Sequence, residues 1–204
     1  MEQIEAEFSR AGLAPLPPAA YDRFQSYLDL LLRWNQRLNL TAIRDPQQII
    51  QRHLVESAFV AQHLPAGITS LLDYGSGAGL PGIPIAICRP EIQVTLAEAQ
   101  GKKGSFLREA LRVLVLPGQV FGGRVETMPE QDLFDAVSMR AVEKMESAIP
   151  IAVKRAKQYL VLLTTGKSAA ASRSFTAELD WFEPTPLPNS AQMILAIGQR
   201  KGPP

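Results

Sequence analysis

The sequence predicts an α/β fold, in which a doubly wound and mostly parallel sheet is preceded by a helical cap. From Thr69 onward, short apolar runs alternate with amphipathic segments, which is typical of a parallel sheet covered by helices on both faces. A glycine-rich turn at 75–82 follows the first apolar run, where sheets of this kind bind ligands. The 204 residues suffice for one such domain and an extension.

Two helices are predicted in the extension, which we assign to residues 1–66, with the α/β domain at 67–204. The first helix is expected at 21–38, because its apolar residues share one helical face: Phe24, Leu28, Leu31 and Leu38. The second begins after Asp45, whose carboxylate can accept from first-turn amides, and Pro46 suits the first helical position. Its buried side is expected to contain Ile50, Leu54, Ala58 and Ala61.

The α/β domain is expected to contain seven strands. These are predicted at 69–74, 92–98, 119–123, 133–139, 158–165, 181–187 and 191–200. Helices are predicted at 80–89, 102–114, 143–156 and 167–179. Prolines at 184, 186 and 188 confine the strand at 181–187 to an edge or a turn, because proline cannot donate to a ladder.

The composition excludes several classes of protein. The 21 basic and 20 acidic side chains nearly cancel, unlike those of a strongly basic nucleic-acid binder. Cys88 is the single cysteine, which excludes an internal disulfide and a thiolate zinc site, and no metal site is predicted. The first residues lack the apolar core of a secretory signal, and no run is long enough to span a bilayer. We therefore expect a cytoplasmic protein without a membrane partner.

The glycine-rich turn can be read in two frames that bind different ligands. Gly77, Gly79 and Gly82 satisfy G-x-G-x-x-G, a dinucleotide-binding pattern that is weak alone because it occurs often by chance. Asp73 and Gly75 instead complete D-x-G-x-G-x-G. The anionic pyrophosphate of a dinucleotide gains nothing from that carboxylate, whereas the ammonium group of the sulfonium cofactor S-adenosylmethionine is attracted by it. Since glycine also weakens a strand interior, Gly75 favours the second frame, although Asp73 could simply cap the turn.

Further candidate binding residues follow the next two strands. Glu98 ends the second strand about twenty residues after the turn, where a carboxylate would bind ribose hydroxyls, although it could also be a solvent-facing charge. Val125, Glu126 and Thr127 follow the third strand and are placed to pass beside an adenine. The sequence thus predicts a nucleoside-binding site at the carboxyl edge of the sheet.

Several segments together resemble the RsmG (GidB) methyltransferases, a family that transfers a methyl group from S-adenosylmethionine to N7 of a guanine in bacterial 16S ribosomal RNA. They are RWNQRLNLTAIRDP (33–46), RHLVES (52–57), LDYGSGAGLPGIPIAI (72–87), QGKK (100–103) and FDAVSMRAV (134–142). A helical cap with W-N-x-x-x-N-L-T joined to G-A-G-x-P-G-I-P is specific to this family. Glu56 and Glu98 stand where the family more often has aspartate.

The resemblance implies a class I methyltransferase fold and a ribosomal RNA substrate, either free 16S RNA or the 30S subunit, and we expect a monomer. The S-adenosylmethionine site that it implies comprises Asp73, Gly75, Ser76, Gly77, Gly79, Leu80, Glu98, Val125, Glu126 and Arg140. Asn39 and Thr41 either end the first helix or also place the cap beside the cofactor.

The implied reaction needs alignment more than acid–base catalysis. Guanine N7 has an exposed lone pair and no proton to lose, and aligning it with the methyl group can supply about 7 to 11 kcal/mol of the barrier. We therefore assign no catalytic residue. Arg140 and His53 are candidates for positioning the guanine, Arg140 by donating to O6 or to a phosphate; the alternatives are an ion pair and a packed histidine. Candidates for contact with the RNA backbone, provided that they share one face, are Arg44, Lys102, Lys103, Arg200 and Lys201.

The sequence leaves three other functions open. The first is a nicotinamide-dependent oxidoreductase, which would use the dinucleotide frame of the glycine turn. The second is a ribosome-assembly module that binds RNA and has a non-catalytic cofactor pocket. The third is a methyltransferase that acts on a small molecule or a protein.

Overall fold

The computed structural model describes residues 2–142 and 145–202. The helices are α1 (Glu2–Arg10), α2 (Pro18–Asn35), α3 (Pro46–Ile49), α4 (Val55–His63), α5 (Gly82–Cys88), α6 (Gly101–Leu114), α7 (Met145–Arg155) and α8 (Gly166–Arg173). A π-helical segment (Ile50–Leu54) joins α3 to α4, and Val125–Thr127 forms a 3-10 helix. None of the helices in these two ranges combines the length and the apolar character that crossing a bilayer requires.

The strands form one mixed sheet. They are β1 (Ser70–Tyr74), β2 (Gln93–Ala97), β3 (Gly118–Phe121), β4 (Phe134–Arg140), β5 (Ala156–Thr165), β6 (Leu179–Trp181), β7 (Thr185–Pro186) and β8 (Met193–Arg200). Their order is β3-β2-β1-β4-β5-β8-β6, with β7 paired to β8 outside this path. The first five strands pair in parallel, whereas β8 is antiparallel to β5, β6 and β7. The predicted doubly wound, mostly parallel α/β fold is confirmed, and β7 is an additional short strand.

The chain path places a ligand crevice beside β1. It moves outward from β1 through β2 to β3, and then returns to the other side of β1 as β4. In an open α/β sheet, ligands bind outside the carboxyl ends of the strands at such a reversal.

Helices cover both faces of the sheet and create two buried clusters. Strand alternation sends Leu71 into the cluster beneath α1 to α6 and Leu72 into the cluster beneath α7 and α8. Residues of the N-terminal helices, such as Phe24, share the first cluster with sheet residues. The division of the chain at residue 66 stays a prediction.

The N-terminal helices differ in extent from the prediction. Helix α1 was not predicted; it buries Ile4 and Phe8, and the Phe8 ring packs edge-on against Phe24 with centroids 5.0 Å apart. Helix α2 begins at Pro18 and ends at Asn35, three residues earlier at each end than predicted. It ends there because the Asn35 side chain accepts hydrogen bonds from the next loop, at Leu40 N and Thr41 N.

The second predicted helix is confirmed, but its interior is not regular. Asp45 Oδ1 accepts from Gln48 N at 2.8 Å and Pro46 occupies the first turn, as predicted. The predicted buried side, Ile50, Leu54, Ala58 and Ala61, is buried. In the π-helical segment Val55 N donates to Ile50 O, five residues back, and such segments occur frequently at functional sites.

The C-terminal part was the least accurately predicted. The strand expected at 181–187 is divided into β6 and β7, both of which pair with β8, and Pro186 lies in the short β7 at the periphery. Helix α8 ends at Arg173, before the predicted residue 179. For the predicted helix at 143–156, which corresponds to α7, Glu143 and Lys144 lie outside the described residues.

Candidate functional site

A cavity of about 620 Å³ opens at the carboxyl ends of β1, β2 and β4, at the predicted edge of the sheet. Ligand pockets usually have volumes of about 300 to 1,000 Å³, so a cofactor-sized molecule fits. The cavity-lining residues that the sequence predicted are His53, Gly75, Ser76, Gly77, Leu80, Glu98, Lys103, Val125, Glu126 and Arg140. The structure therefore brings residues from five separate segments to one crevice.

The turn after β1 needs glycine for its conformation and its packing. Gly75, Gly77 and Gly79 have φ of 70°, 55° and 84°, in the left-handed region that favours glycine. A Cβ on Gly79 would lie 2.4 Å from Ile83 Cδ1, whereas one on Gly77 would meet only Gly75 O at 3.9 Å. Gly79 therefore packs the turn onto α5, and Gly77 leaves its backbone bare at the cavity wall.

Asp73 lies beneath this turn and is not among the residues that line the cavity. Strand alternation directs its side chain towards α5, and it accepts there from Gly82 N at 3.3 Å. It also accepts from Ser138 Oγ of β4 at 2.8 Å. The carboxylate is 1% exposed, and burial raises its pKa to about 6. It holds the turn to β1 and β4 in this structure, and its direct contact with a bound ammonium group stays a prediction.

Glu98 faces the cavity from the end of β2. Its two oxygens accept from Gly77 N at 3.0 Å and from Gln100 N at 2.8 Å. These bonds fix the carboxylate between the glycine turn and the start of α6. Since each oxygen has a second lone pair, Glu98 can still accept from a pair of hydroxyl groups.

The wall formed after β3 contains Val125 and Glu126. Tyr74, at the end of β1, donates from its hydroxyl to Glu126 Oε1 at 3.0 Å, and both side chains line the cavity. Tyr74 was not predicted as a site residue, and neither was Arg124, which also lines the cavity. The signal for Tyr74 was available, because the last residue of β1 lies beside the turn.

A buried arginine holds this wall in place. The Arg155 guanidinium donates to the carbonyls of Met128, Val125, Pro129 and Asp132. These carbonyls cap the 3-10 helix and the loop after it. Burying an arginine is costly unless its donors are satisfied, which the four carbonyls achieve here.

Arg140 is inside the site, but its guanidinium is already engaged. Its Nη2 donates to Glu56 Oε2 at 2.7 Å and to Arg52 O at 2.9 Å, and lies 3.1 Å from His53 Nδ1. The side chains of Arg140 and Glu56 are 13% and 1% exposed. The ion-pair alternative for Arg140 is thus present in the structure. Its donation to a guanine or a phosphate stays a prediction.

The cap reaches the cavity through the loop after α2. Thr41 lines the cavity, and its Oγ1 lies 2.7 Å from His53 Nε2. Asn39 does not line the cavity; its side chain accepts from Arg44 Nη2 at 3.1 Å. Thr41 does not end α2, which stops at Asn35, and its Oγ1 instead accepts from Ile43 N within its own loop. Its role in placing the cap beside a cofactor stays a prediction.

The basic residues predicted to contact RNA do not share one face. Lys103 lines the cavity, with Lys102 beside it on α6, and Arg44 belongs to the loop that carries Thr41. Arg200 and Lys201 lie at the opposite edge of the sheet, because β8 is antiparallel and its last residues pair next to the start of β5. There Arg200 donates to Ala156 O at 2.8 Å. The expectation of one joint surface was therefore wrong for these two residues.

Comparison with known proteins gives concordant matches. GidB, described as rRNA small subunit methyltransferase G, matches residues 20–179. The Ribosomal RNA small subunit methyltransferase G of Methylobacillus flagellatus is 45% identical over 145 residues, 71% of this chain and 69% of that protein. The protein of the same name from Xanthomonas campestris pv. campestris is 45% identical over 126 residues, which are 61% of this chain and 58% of that protein. The match therefore spans less than two thirds of that relative's length.

A solved structure shows the same fold. The O-methyltransferase from Bacillus cereus in complex with SAH has a TM-score of 0.62 and 16% identity, over 86% of this chain and 91% of that chain.

Proposed function

This chain belongs to the GidB family of rRNA small subunit methyltransferase G proteins, and we propose that it transfers a methyl group from S-adenosylmethionine to N7 of a guanine in 16S ribosomal RNA. The enzyme is an S-adenosylmethionine-dependent rRNA methyltransferase. The observation that carries the proposal is the cavity at the switch point, where the bare glycine turn meets the carboxylate of Glu98. We assign the methyltransferase domain to 67–204 and the helical extension to 1–66.

The residues of the cavity fit S-adenosylmethionine. When bound, this cofactor supplies an electrophilic methyl group on a sulfonium centre. Glu98 would accept from its ribose hydroxyls, and Val125 and Glu126 would flank its adenine. A side chain on Gly77 would project into open space at the cavity wall, so glycine leaves that space for the ligand.

Electrostatics at the turn favour a cation. Asp73 lies directly below the glycines, and in the buried interior its charge is poorly screened. Once ionised, it would attract the positive centres of the cofactor through the turn without touching them. A dinucleotide pyrophosphate would instead be repelled.

The target base needs no proton acceptor. The lone pair of guanine N7 is free at neutral pH, so the task of the protein is to hold the base in line with the methyl group. His53 and Arg140 face the cavity from the cap and from β4, opposite the wall that carries Glu126. We assign them to positioning the base, which must be unstacked to enter the cavity.

The RNA substrate reaches the cavity between the cap and α6. Arg44, Lys102 and Lys103 lie on these two elements, and we assign them to phosphate contacts. The substrate is 16S RNA, free or within the 30S subunit, and the protein acts on it as a monomer in the cytoplasm, where ribosomal subunits reside.

Two measurements test this function together. Calorimetry should detect binding of S-adenosylmethionine but not of NADH, and labelled methyl groups should be transferred from the former to 16S RNA or to 30S subunits. Binding of NADH alone would indicate an oxidoreductase. Cofactor binding without transfer to either RNA substrate would indicate an assembly factor with a non-catalytic pocket.

A further inference from the structure

A hydroxyl group of the N-terminal helices reaches the glycine-rich turn. Tyr27, in α2, donates from its hydroxyl to the backbone carbonyl of Ala78 at 2.6 Å, and the carbonyl oxygen can only accept. Both residues are buried, and Ala78 lines the cavity. Burial, and then the negative charge of Asp73, raise the pKa of Tyr27, so its hydroxyl keeps the proton that it donates. Tyr27 therefore bonds the cap to the turn at neutral pH.

This bond holds one end of a peptide unit whose other end is also held. The carbonyl of Ala78 and the amide of Gly79 belong to the same planar unit. Gly79 N donates to Ser76 O at 2.7 Å, while Ala78 O accepts from Tyr27. The orientation of this unit therefore depends on two hydrogen bonds, one within the turn and one to α2.

Glycine leaves the peptide unit free to rotate, which gives the bond to α2 its effect. Gly79 has a φ of 84°, and glycine adopts positive and negative φ about equally readily. The Ala78–Gly79 unit can therefore rotate without forcing Gly79 into a disfavoured φ, and this rotation would turn Ala78 O away from Tyr27. It would also leave a buried carbonyl without its donor, which is unfavourable. The Tyr27 hydroxyl thus selects one orientation of the backbone at the cavity wall.

We propose that Tyr27 is a positioning residue, which through Ala78 O holds the glycine-rich turn in the conformation that binds S-adenosylmethionine. This inference rests on the proposed function, which places the cofactor against the turn. Tyr27 itself is not among the residues that line the cavity, so it acts on the cofactor through the backbone. The N-terminal helices thereby contribute to the affinity for the cofactor.

Two tyrosine substitutions on α2 test this role. Tyr27→Phe removes the hydroxyl and keeps the ring. Tyr21→Phe is the matched control, because the Tyr21 hydroxyl is also bonded to the backbone, at Leu16 N, but this partner lies outside the turn. Calorimetry should show that Tyr27→Phe binds S-adenosylmethionine about tenfold more weakly than the wild type, and that Tyr21→Phe stays within about twofold. Denaturant unfolding verifies that both variants are folded under the conditions of the binding assay.

Steady-state kinetics separate positioning from a general structural effect. Tyr27→Phe should raise KM for S-adenosylmethionine about tenfold, while kcat at saturating cofactor and KM for the RNA stay within about twofold of the wild type. Hydrogen exchange gives a second measurement, in which the amide of Gly79 should exchange faster in Tyr27→Phe than in Tyr21→Phe.

The outcomes distinguish this role from the proposed function. Wild-type protein that binds no S-adenosylmethionine would overturn the proposed function. Binding by the wild type together with normal affinity in Tyr27→Phe, equal losses of affinity in the two variants, or equal exchange at Gly79 would overturn this inference alone.

Discussion

Asp73 is enclosed beneath the glycine turn, and we predict that its ionisation lowers the stability of the free protein at neutral pH. Burial raises its pKa from 3.8 to about 6. At 1.36 kcal/mol for each unit of pKa, this difference corresponds to about 3 kcal/mol of unfolding free energy. The folded state holds the proton more tightly, so this stabilisation is present below pH 3.8 and is lost as the pH rises through about 6.

Asp73→Asn removes the charge without changing the shape of the side chain. Between about pH 4.5 and about pH 7.5, the unfolding free energy of the variant should rise by about 2 kcal/mol relative to the wild type. Denaturant unfolding at both pH values, with unchanged m-values, measures this difference. The variant should nevertheless bind S-adenosylmethionine more weakly, because the anion beneath the turn is gone.

Asp135→Asn provides the matched control. Burial would raise the pKa of Asp135, but hydrogen bonds from Thr69 and Ser70 outweigh it and hold the pKa below its usual range. Asp135 is thus ionised at both pH values, and its substitution should lower stability by a similar amount at each. Parallel pH dependences of stability in the wild type and Asp73→Asn would show that the pKa of Asp73 is not raised in the folded protein.

Three further substitutions or titrations test the site. Gly79→Ala should lower the free energy of unfolding by about 1 to 2 kcal/mol because of its positive φ, and by about 1 to 3 kcal/mol more because the new Cβ crowds α5. Gly12 also has a positive φ but faces open space, so Gly12→Ala should show only the first loss in the same unfolding assay. Glu56→Gln should destabilise the fold by about 3 to 5 kcal/mol, since it leaves the Arg140 guanidinium buried without its counter-charge; a loss below 1 kcal/mol would contradict this. The NMR titration of His53 should have its midpoint near pH 4, and a midpoint near its usual 6.5 would show that the ring is not held between Arg140 and Thr41.

Local patterns in the sequence were sufficient to predict several of the residues that line the cavity. The frame that begins at Asp73 was favoured because glycine is poor inside a strand, and Gly75 indeed follows β1 with a φ of 70°. Glu98 was predicted from its position after the second strand. Both predictions depend on the positions of the strands, which the periodicity of apolar residues in the sequence indicates directly.

Contacts between distant segments were not predictable in this way. The Arg140 guanidinium is paired with Glu56, which is 84 residues earlier, and no local pattern links β4 to α4. Likewise, Arg200 and Lys201 were predicted to share a surface with the other basic residues, but the antiparallel direction of β8 places them at the edge of the sheet opposite the cavity. Strand alternation accounts for the orientation of Asp73 away from the cavity, but predicting that orientation required knowing which face of the sheet α5 covers.

The identity of the modified nucleotide decides whether this protein is a guanine-N7 methyltransferase of 16S ribosomal RNA. The 16S ribosomal RNA of cells with and without this gene should be digested and mapped by mass spectrometry. We expect N7-methylguanine at one site, absent without the gene and restored by the wild-type protein. Identical methylation in both strains, or a gene-dependent methyl group on a ribose or on another base atom, would contradict it.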